Sequence, residues 1–233
     1  KRLQSKAKQT IISQFRKTKM CKTTTVSNEQ TAVSAGTSTS CSNSNHAAAA
    51  PAATTHAVVI TLPSWAVEYE MSLQDKVFKT EEEMMTVAIE LSARNIAENT
   101  GGPFGAAIFE YDPSTGESRL HSIGMNQVVT LGNSSLHGEM VAIQFGQKKL
   151  NNFSFSAGCR VVGREYHLYT SCEPCAMCLG GTLWSGVSKI VCAAKKSDAE
   201  AIGFDEGPVF DQSYQALEAA GCKVVFDVLR DEG

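Results

Sequence analysis

Apolar residues recur along the chain from Trp65 onward with the spacings of alternating helices and strands. The clearest helical pattern spans residues 84–96, where the apolar positions are Met84, Met85, Val87, Ala88, Ile89, Leu91 and Ile96. Thr80 stands three residues before Glu83, which is the spacing of a capping box, so a helix is predicted to begin near Glu81. The turn-forming residues 99–102 predict its end.

Shorter apolar stretches predict five strands and three more helices. The strands are expected at residues 105–111, 120–125, 166–170, 189–194 and 223–226, and the turn sequence at 112–116 predicts a hairpin between the first two. Helices are expected from His137, over 175–184 and over 213–220, and residues 126–136 are expected to form a polar loop. The order α-β-β-α-β-α-β-α-β predicts an α/β fold with helices on both faces of one sheet.

The first 60 residues differ in composition from the rest of the chain. Residues 1–22 are basic and rich in Ser, Thr and Gln, which fits a transit peptide, a nucleic-acid arm or sequence upstream of the true start at Met20. Residues 23–57 are of low complexity. The sequence therefore predicts a disordered tail over residues 1–60 and one folded domain over residues 65–233.

The charge of the chain is divided unequally. Residues 1–64 carry eight Lys and Arg against one Glu, whereas the remainder carries 13 basic and 23 acidic residues. An acidic domain disfavours a polyanionic substrate such as RNA, although the basic arm would favour one. No apolar run approaches the roughly 18 residues of a membrane span. Since no secretory signal accompanies the eight Cys, a reducing, cytoplasmic location is predicted, with organellar targeting as the alternative.

Two short segments carry the candidate chemistry: His137-Gly138-Glu139, and residues 174–178, which read P-C-A-M-C. One imidazole and two thiolates make three protein ligands, the number typical of a catalytic zinc site with an open fourth position. A helix N-terminus at the cysteines would favour the thiolate form. Glu139 is close enough to handle protons without ligating the metal. This combination predicts a hydrolytic zinc site.

Two other interpretations of these cysteines remain open. Cys172 lies three residues before Cys175 and would, as a fourth ligand, close the site into a structural one. That reading leaves Glu139 without a role. A redox-active C-x-x-C dithiol leaves His137 unexplained.

The pattern H-x-E…P-C-x-x-C resembles that of the zinc deaminases. From Trp65 to the C-terminus the chain is similar to the cytidine-deaminase-like superfamily of CMP/dCMP-type enzymes, nearest the branch of guanine, guanosine and tRNA adenosine deaminases. The resemblance implies a three-layer α/β/α fold around a five-stranded mixed sheet and a homodimer. It also implies a zinc ion (Zn2+) on His137, Cys175 and Cys178, with Glu139 as the proton shuttle. Gly138 replaces a more usual Ala without removing a chemical group.

Two further segments resemble those of guanine and guanosine deaminases: residues 101–106 (GGPFGA) and 201–206 (AIGFDE). The resemblance implies that Phe104 stacks on the base and that Asn126 hydrogen-bonds to it. It also implies that Asp205 or Glu206 accepts hydrogen bonds from the N–H edge of guanine. Local chemistry leaves an alternative for each: Phe104 as a core aromatic beside a glycine turn, Asn126 as a turn residue, and residues 205–206 as a solvated acidic loop.

Four functions therefore compete. The favoured one is hydrolytic deamination of a free nucleobase or nucleoside, guanine or guanosine first, with release of ammonia. A tRNA-specific adenosine deaminase that converts adenosine to inosine is the second, and a cytosine or cytidine deaminase the third. The fourth is a catalytically silent zinc module, against which the presence of Glu139 weighs.

Overall fold

The computed structural model describes residues 58–156 and 161–233, and residues 60–233 form one compact unit. The predicted tail lies almost wholly outside the described residues. The helices are α1 Ser64–Ser72, α2 Glu81–Ala97, α3 Val128–Leu131, α4 Gly138–Leu150, α5 Ala176–Ser185, α6 Lys196–Ala201 and α7 Asp211–Ala219. The strands are β1 Val77–Phe78, β2 Gly105–Asp112, β3 Glu117–Met125, β4 Glu165–Cys172, β5 Lys189–Ala194 and β6 Lys223–Val225.

The strands form one mixed sheet in the order β1-β3-β2-β4-β5-β6. The pairs from β1 to β4 are antiparallel, whereas β4, β5 and β6 run parallel. The α/β class and the mixed sheet are thus confirmed. The sheet has six strands instead of the predicted five, because Val77–Phe78 pairs at the edge and is too short to show an alternating pattern.

Apolar side chains fill both faces of the sheet. On one face α2 packs Met85, Val87 and Leu91 against Phe109 and Tyr169. On the other face α4, α5 and α7 pack against β4 and β5; the buried residues there include Ile143, Leu179, Leu217, Leu168 and Ile190. Helices on both faces make three layers.

Local sequence signals account for the start of α2. The Thr80 hydroxyl accepts a hydrogen bond from the Glu83 amide at 3.2 Å, and the Glu83 carboxylate accepts one from the Thr80 amide at 3.4 Å. The predicted capping box is therefore confirmed. The structure also contains helices that were not predicted: α1 and α6 were not expected, and α3 interrupts the predicted loop 126–136. These helices are four to nine residues long, too short for a periodic pattern.

Within the described part of the chain, no helix is both long and apolar enough to cross a membrane.

Candidate active site

Two helix N-termini lie together at the end of the sheet where strands β3 and β4 terminate, which we call its carboxyl end. His137 is the N-cap residue of α4, and Cys175 is the N-cap residue of α5, which follows β4 after a short loop. At the close of β3, a Cβ on Gly124 would lie 2.1 Å from the carbonyl oxygen of Gly138. Only glycine permits this approach, so the end of β3 holds the first turn of α4 in place.

His137, Cys175 and Cys178 form one group, with their ligand atoms all within 4.8 Å of one another. The Nδ1 atom of His137 lies 3.5 Å from the Sγ atom of Cys175. Tetrahedral zinc with the usual bond lengths would separate such atoms by about 3.6 Å. Both cysteines are buried and His137 is half-buried. The donor set and its spacing therefore fit a zinc ion.

Cys172 is not part of this group. Its Sγ atom points to the carbonyl oxygen of Lys195, 3.7 Å away, and burial raises the pKa of its thiol. The structure thus favours three protein ligands over the sealed four-ligand alternative.

Hydrogen bonds inside the group prepare one thiolate. A hydrogen bond from the Cys178 thiol, with another from His137, lowers the pKa of Cys175 to about 4. Donation of that proton, together with burial, raises the pKa of Cys178. The hydrogen bond to Cys175 also raises the pKa of the His137 imidazole. Without a cation, the protein therefore stabilises only one of the two cysteines as a thiolate. A bound cation is needed to keep both cysteines deprotonated.

Glu139 lies in the first turn of α4 and is only 6% exposed. Burial raises the pKa of its carboxyl group. Glu139 does not belong to the ligand group. A carboxyl group beside the ligands, with a raised pKa, is suited to accept a proton and return it near neutral pH.

Asn126 is held by a residue that the sequence did not single out. Asn95 is fully buried, and its side-chain amide donates to the carbonyl oxygens of Gly102 and Asn126, each at 2.8 Å. The side-chain oxygen of Asn126 accepts from the Val128 amide at 3.3 Å, which is the turn interaction weighed from the sequence. In the sequence, the only signal for Asn95 was that it is a polar residue on the apolar face of α2.

Phe104 lies beside the first turn of α4, since a Cβ on Gly138 would be 3.3 Å from the Phe104 carbonyl oxygen. Its half-buried ring meets Phe204 edge to face, with ring centroids 4.8 Å apart. Both rings pack against a small apolar cluster that includes Cys172. This packing supports the interpretation of Phe104 as a core aromatic. Its contact with a base stays a prediction.

The structure separates the two acidic candidates of the 201–206 segment. Asp205 is exposed, and its carboxylate accepts a hydrogen bond from the Gly207 amide at 2.9 Å. Glu206 is buried, and its backbone carbonyl accepts from the Ala176 amide at 3.4 Å, in the first turn of α5. Burial, and then the charge of Cys175, raises the pKa of Glu206 to about 7. Within the described residues no hydrogen bond engages its carboxylate.

Residues 78–194 match the family described as the cytidine and deoxycytidylate deaminase zinc-binding region. The chain is 31% identical to the guanine deaminase of Bacillus subtilis (strain 168) over 125 residues, which cover 54% of this chain and 71% of the relative. Two tRNA-specific adenosine deaminases, from Buchnera aphidicola and Haemophilus influenzae, match at 24% and 29% identity.

Solved structures agree with these matches. The protein NE0047 bound to 8-azaguanine is 38% identical, with a TM-score of 0.66, over 76% of this chain and 92% of that chain. NE0047 has also been solved with 2,6-diaminopurine, at the same identity and TM-score, over 76% of this chain and 88% of that chain. The guanine deaminase of Nitrosomonas europaea is 37% identical, with a TM-score of 0.66, over 77% of this chain and 93% of that chain.

Proposed function

Because the chain belongs to the zinc-binding family of cytidine and deoxycytidylate deaminases, we propose that it deaminates guanine or guanosine. In this reaction water replaces the ring amino group and ammonia leaves. The observation that carries the proposal is the pair of buried carboxyl groups, Glu139 and Glu206, beside the His-Cys-Cys group. The similarity to guanine deaminases supports the choice of base.

His137, Cys175 and Cys178 would hold the zinc ion at the N-termini of α4 and α5. Zinc bound in such a site lowers the pKa of a water molecule toward about 7 and thereby supplies the nucleophile. The positive ends of the two helix dipoles stabilise the negative charge of the thiolates. This end of the sheet is thus suited to generate a nucleophile at neutral pH.

Glu139 would carry the proton. Its carboxylate takes a proton as water is activated and delivers it to the purine ring; it then moves the proton of the added hydroxyl to the amino group, which departs as ammonia. One water is consumed and one ammonia is released, with no redox change. Burial supports this role, because a raised pKa makes the carboxylate a better proton acceptor and lets the protonated form persist near neutral pH until the proton is passed on.

Glu206 would select the base. Guanine presents N–H donors on the edge that bears its 2-amino group, and a carboxylate accepts from both. Adenine offers only its amino group on the corresponding edge, because its ring nitrogen N1 is an acceptor, so it would leave one oxygen of the buried Glu206 without a donor. Asn126, held by Asn95, would make a further hydrogen bond, and Phe104 would contact the face of the ring.

The test is ammonia release from guanine, guanosine, adenosine, cytosine and tRNA by the zinc-loaded full chain. Guanine or guanosine is expected to react at least 100-fold faster than the other substrates, because a site built for N–H donors rejects analogues that lack them. Glu206→Gln should remove most of this activity. The control is Asp205→Asn, which removes the same charge from an exposed neighbouring residue and should leave the activity unchanged. Ammonia from tRNA alone would overturn the proposal.

We also propose that the protein is a homodimer. Helix α5, which carries Cys178, exposes three large apolar side chains, Met177, Leu183 and Trp184, and Trp184 is 82% exposed. An exposed apolar face of this kind often marks a protein interface. Sedimentation should give twice the chain mass, and Trp184→Glu should give a monomer that retains zinc. A monomeric wild-type protein would contradict the proposal.

None of the five cysteines among the described residues, which include Cys192 and Cys222, forms a disulfide. This supports the proposed reducing, cytoplasmic location.

A further inference from the structure

A chain of hydrogen bonds lies behind the two segments that are predicted to contact the base. It begins at Trp65 on α1, passes through Thr100 just after α2, and ends at Asn95 in the last turn of α2. The indole Nε1 of Trp65 donates to Thr100 Oγ1 at 3.1 Å, and the Thr100 hydroxyl donates to Asn95 Oδ1 at 2.8 Å. Trp65 and Asn95 are both buried, so water competes little for these bonds.

The first donor fixes the direction of this chain. An indole N–H can donate a hydrogen bond but cannot accept one, so the Thr100 hydroxyl must accept from Trp65. The hydrogen of that hydroxyl is then available to Asn95, whose side-chain oxygen lies at 2.8 Å and whose backbone oxygen lies at 3.4 Å. Because the side-chain oxygen of Asn95 receives this hydrogen, its NH2 group is left to donate elsewhere.

The NH2 group of Asn95 joins two segments that are distant in sequence. It donates to the carbonyl oxygens of Gly102 and Asn126, each at 2.8 Å. Gly102 lies in the turn before β2, and Asn126 directly follows β3. Both hydrogens of the buried amide and its oxygen are thus engaged. A fully satisfied buried amide favours a single arrangement of the segments that it joins.

The two joined segments also contact each other directly. The Asn126 amide donates to the Phe104 carbonyl oxygen at 2.9 Å. A Cβ on Gly101 would lie 1.8 Å from the Asn126 carbonyl oxygen, and a Cβ on Gly102 would lie 3.3 Å from Cγ and Oδ1 of Asn126. Since the turn packs on both the backbone and the side chain of Asn126, a shift of the turn would displace the Asn126 amide group.

The Asn126 side chain has one polar group left for a ligand. Its Oδ1 accepts from the Val128 amide at 3.3 Å, and among the described residues no other hydrogen bond engages this side chain. Its NH2 group can therefore donate to a carbonyl oxygen or ring nitrogen of a base. Hydrogen bonds weaken steeply with misalignment, so such a contact requires Asn126 to be held in place.

We propose that Asn95 and Thr100 are positioning residues for base recognition, which hold Asn126 and the turn 101–104 in the arrangement that binds guanine. Neither residue contacts the base. Asn95 acts through the two carbonyl oxygens that it binds, and Thr100 acts by fixing the orientation of the Asn95 amide. This inference rests on the proposed function and extends it from the residues that contact the base to those that orient them.

The test uses the zinc-loaded full chain, with steady-state kinetics on guanine and calorimetry with 8-azaguanine, the base bound by NE0047. Thr100→Val removes the hydroxyl and keeps the shape. It should raise both the KM for guanine and the Kd for 8-azaguanine about tenfold, with kcat within about twofold of the wild type, because it weakens binding and leaves the chemistry intact. Thr100→Ser keeps the hydroxyl and should behave like the wild type.

Two further variants frame this result. Asn95→Asp keeps the shape but sets an oxygen against two carbonyl oxygens, and it should weaken binding of 8-azaguanine about 100-fold. The control is Thr86→Val, which removes an exposed hydroxyl of α2 that donates to the Glu82 carbonyl oxygen at 2.7 Å. It should leave KM and Kd unchanged. Zinc content and thermal unfolding check that each variant folds, and the half-buried Thr100 decides the test if Asn95→Asp does not fold.

The possible failures are distinguishable. A wild type that deaminates guanine, with unchanged KM and Kd in Thr100→Val, would overturn this inference and leave the proposed function standing. An equal loss of binding in Thr100→Ser would also overturn it, because side-chain size and not the hydroxyl would then be the cause. A wild type that neither deaminates guanine nor binds 8-azaguanine would overturn both.

Discussion

Polar side chains are arranged differently at the two ends of the sheet. At the carboxyl end, the group of His137, Cys175 and Cys178 converges within 4.8 Å, with the carboxyl groups of Glu139 and Glu206 buried beside it. At the amino end, polar groups are spread over strands β2 to β6 around a cavity of about 350 Å³. One end concentrates its reactive groups on the first turns of two helices, where small displacements matter most. We therefore expect substitutions at the carboxyl end to have the larger effects.

The largest effect should follow the loss of one ligand. Cys178→Ser is expected to lower bound zinc from about one ion per chain to nearly none, and with it the deaminase activity, because one of the three protein ligands is lost. The matched control is Cys172→Ser, a second buried cysteine at this end whose sulfur lies outside the group. Elemental analysis of both variants provides the measurement. Equal zinc loss in the two variants would contradict the assignment of three ligands.

Glu139→Gln should have the next largest effect. The amide cannot take up a proton, so ammonia release should fall by about 10²–10⁴-fold, while the zinc content remains at about one ion per chain. Steady-state kinetics with guanine, together with elemental analysis, would separate the two properties. Full activity in this variant would exclude Glu139 as the proton carrier.

A third comparison concerns the glycine that lets β3 approach α4. Gly124→Ala would place a methyl group 2.1 Å from the Gly138 carbonyl oxygen, so the first turn of α4 must shift. We expect a loss of several kcal/mol in the free energy of unfolding, together with reduced activity. Gly180→Ala is the control, since its methyl group meets no atom within 4 Å and alanine favours the helix. Urea denaturation should rank the control at or above the wild type.

The smallest effect is a dependence of stability on pH at Glu206. Its folded-state pKa is raised to about 7, mainly by burial, so the folded protein binds a proton that the unfolded chain releases near pH 4.5. Ionisation of Glu206 therefore destabilises the fold as pH rises between these values. Glu206→Gln should add about 1–3 kcal/mol to the free energy of unfolding above pH 7, and nothing below about pH 4.5. A gain that does not vary with pH would rule out this cause.

Local patterns predicted much of the fold. The capping box of Thr80 and Glu83 and the apolar face behind it located α2 to within a residue, because both signals lie within the helix itself. The short elements α1, α3, α6 and β1 were missed, because their few residues are held by neighbours distant in sequence. The polar residue Asn95 was also overlooked. Its function depends on two carbonyl oxygens that only folding brings within reach.

The cavity at the amino end of the sheet was not predictable for a related reason. Its row of His167, Lys189 and Lys223 has no spacing in the sequence that would indicate a site, because the row arises from the register of three separate strands. Packing also leaves the hydroxyls of Ser118 and Tyr169 without a hydrogen-bond partner among the residues that the structure describes.

By itself, the sequence determined the kind of chemistry: His137 and Glu139 lie on one helical turn, and Cys175 and Cys178 lie on another, so their mutual geometry is local. The tertiary structure alone decided three further points. It excluded Cys172 from the ligand group, buried Glu206 while leaving Asp205 in solvent, and assembled the cavity at the amino end of the sheet. The physical reason is that burial and strand register depend on contacts between segments far apart in the chain, which no local pattern encodes.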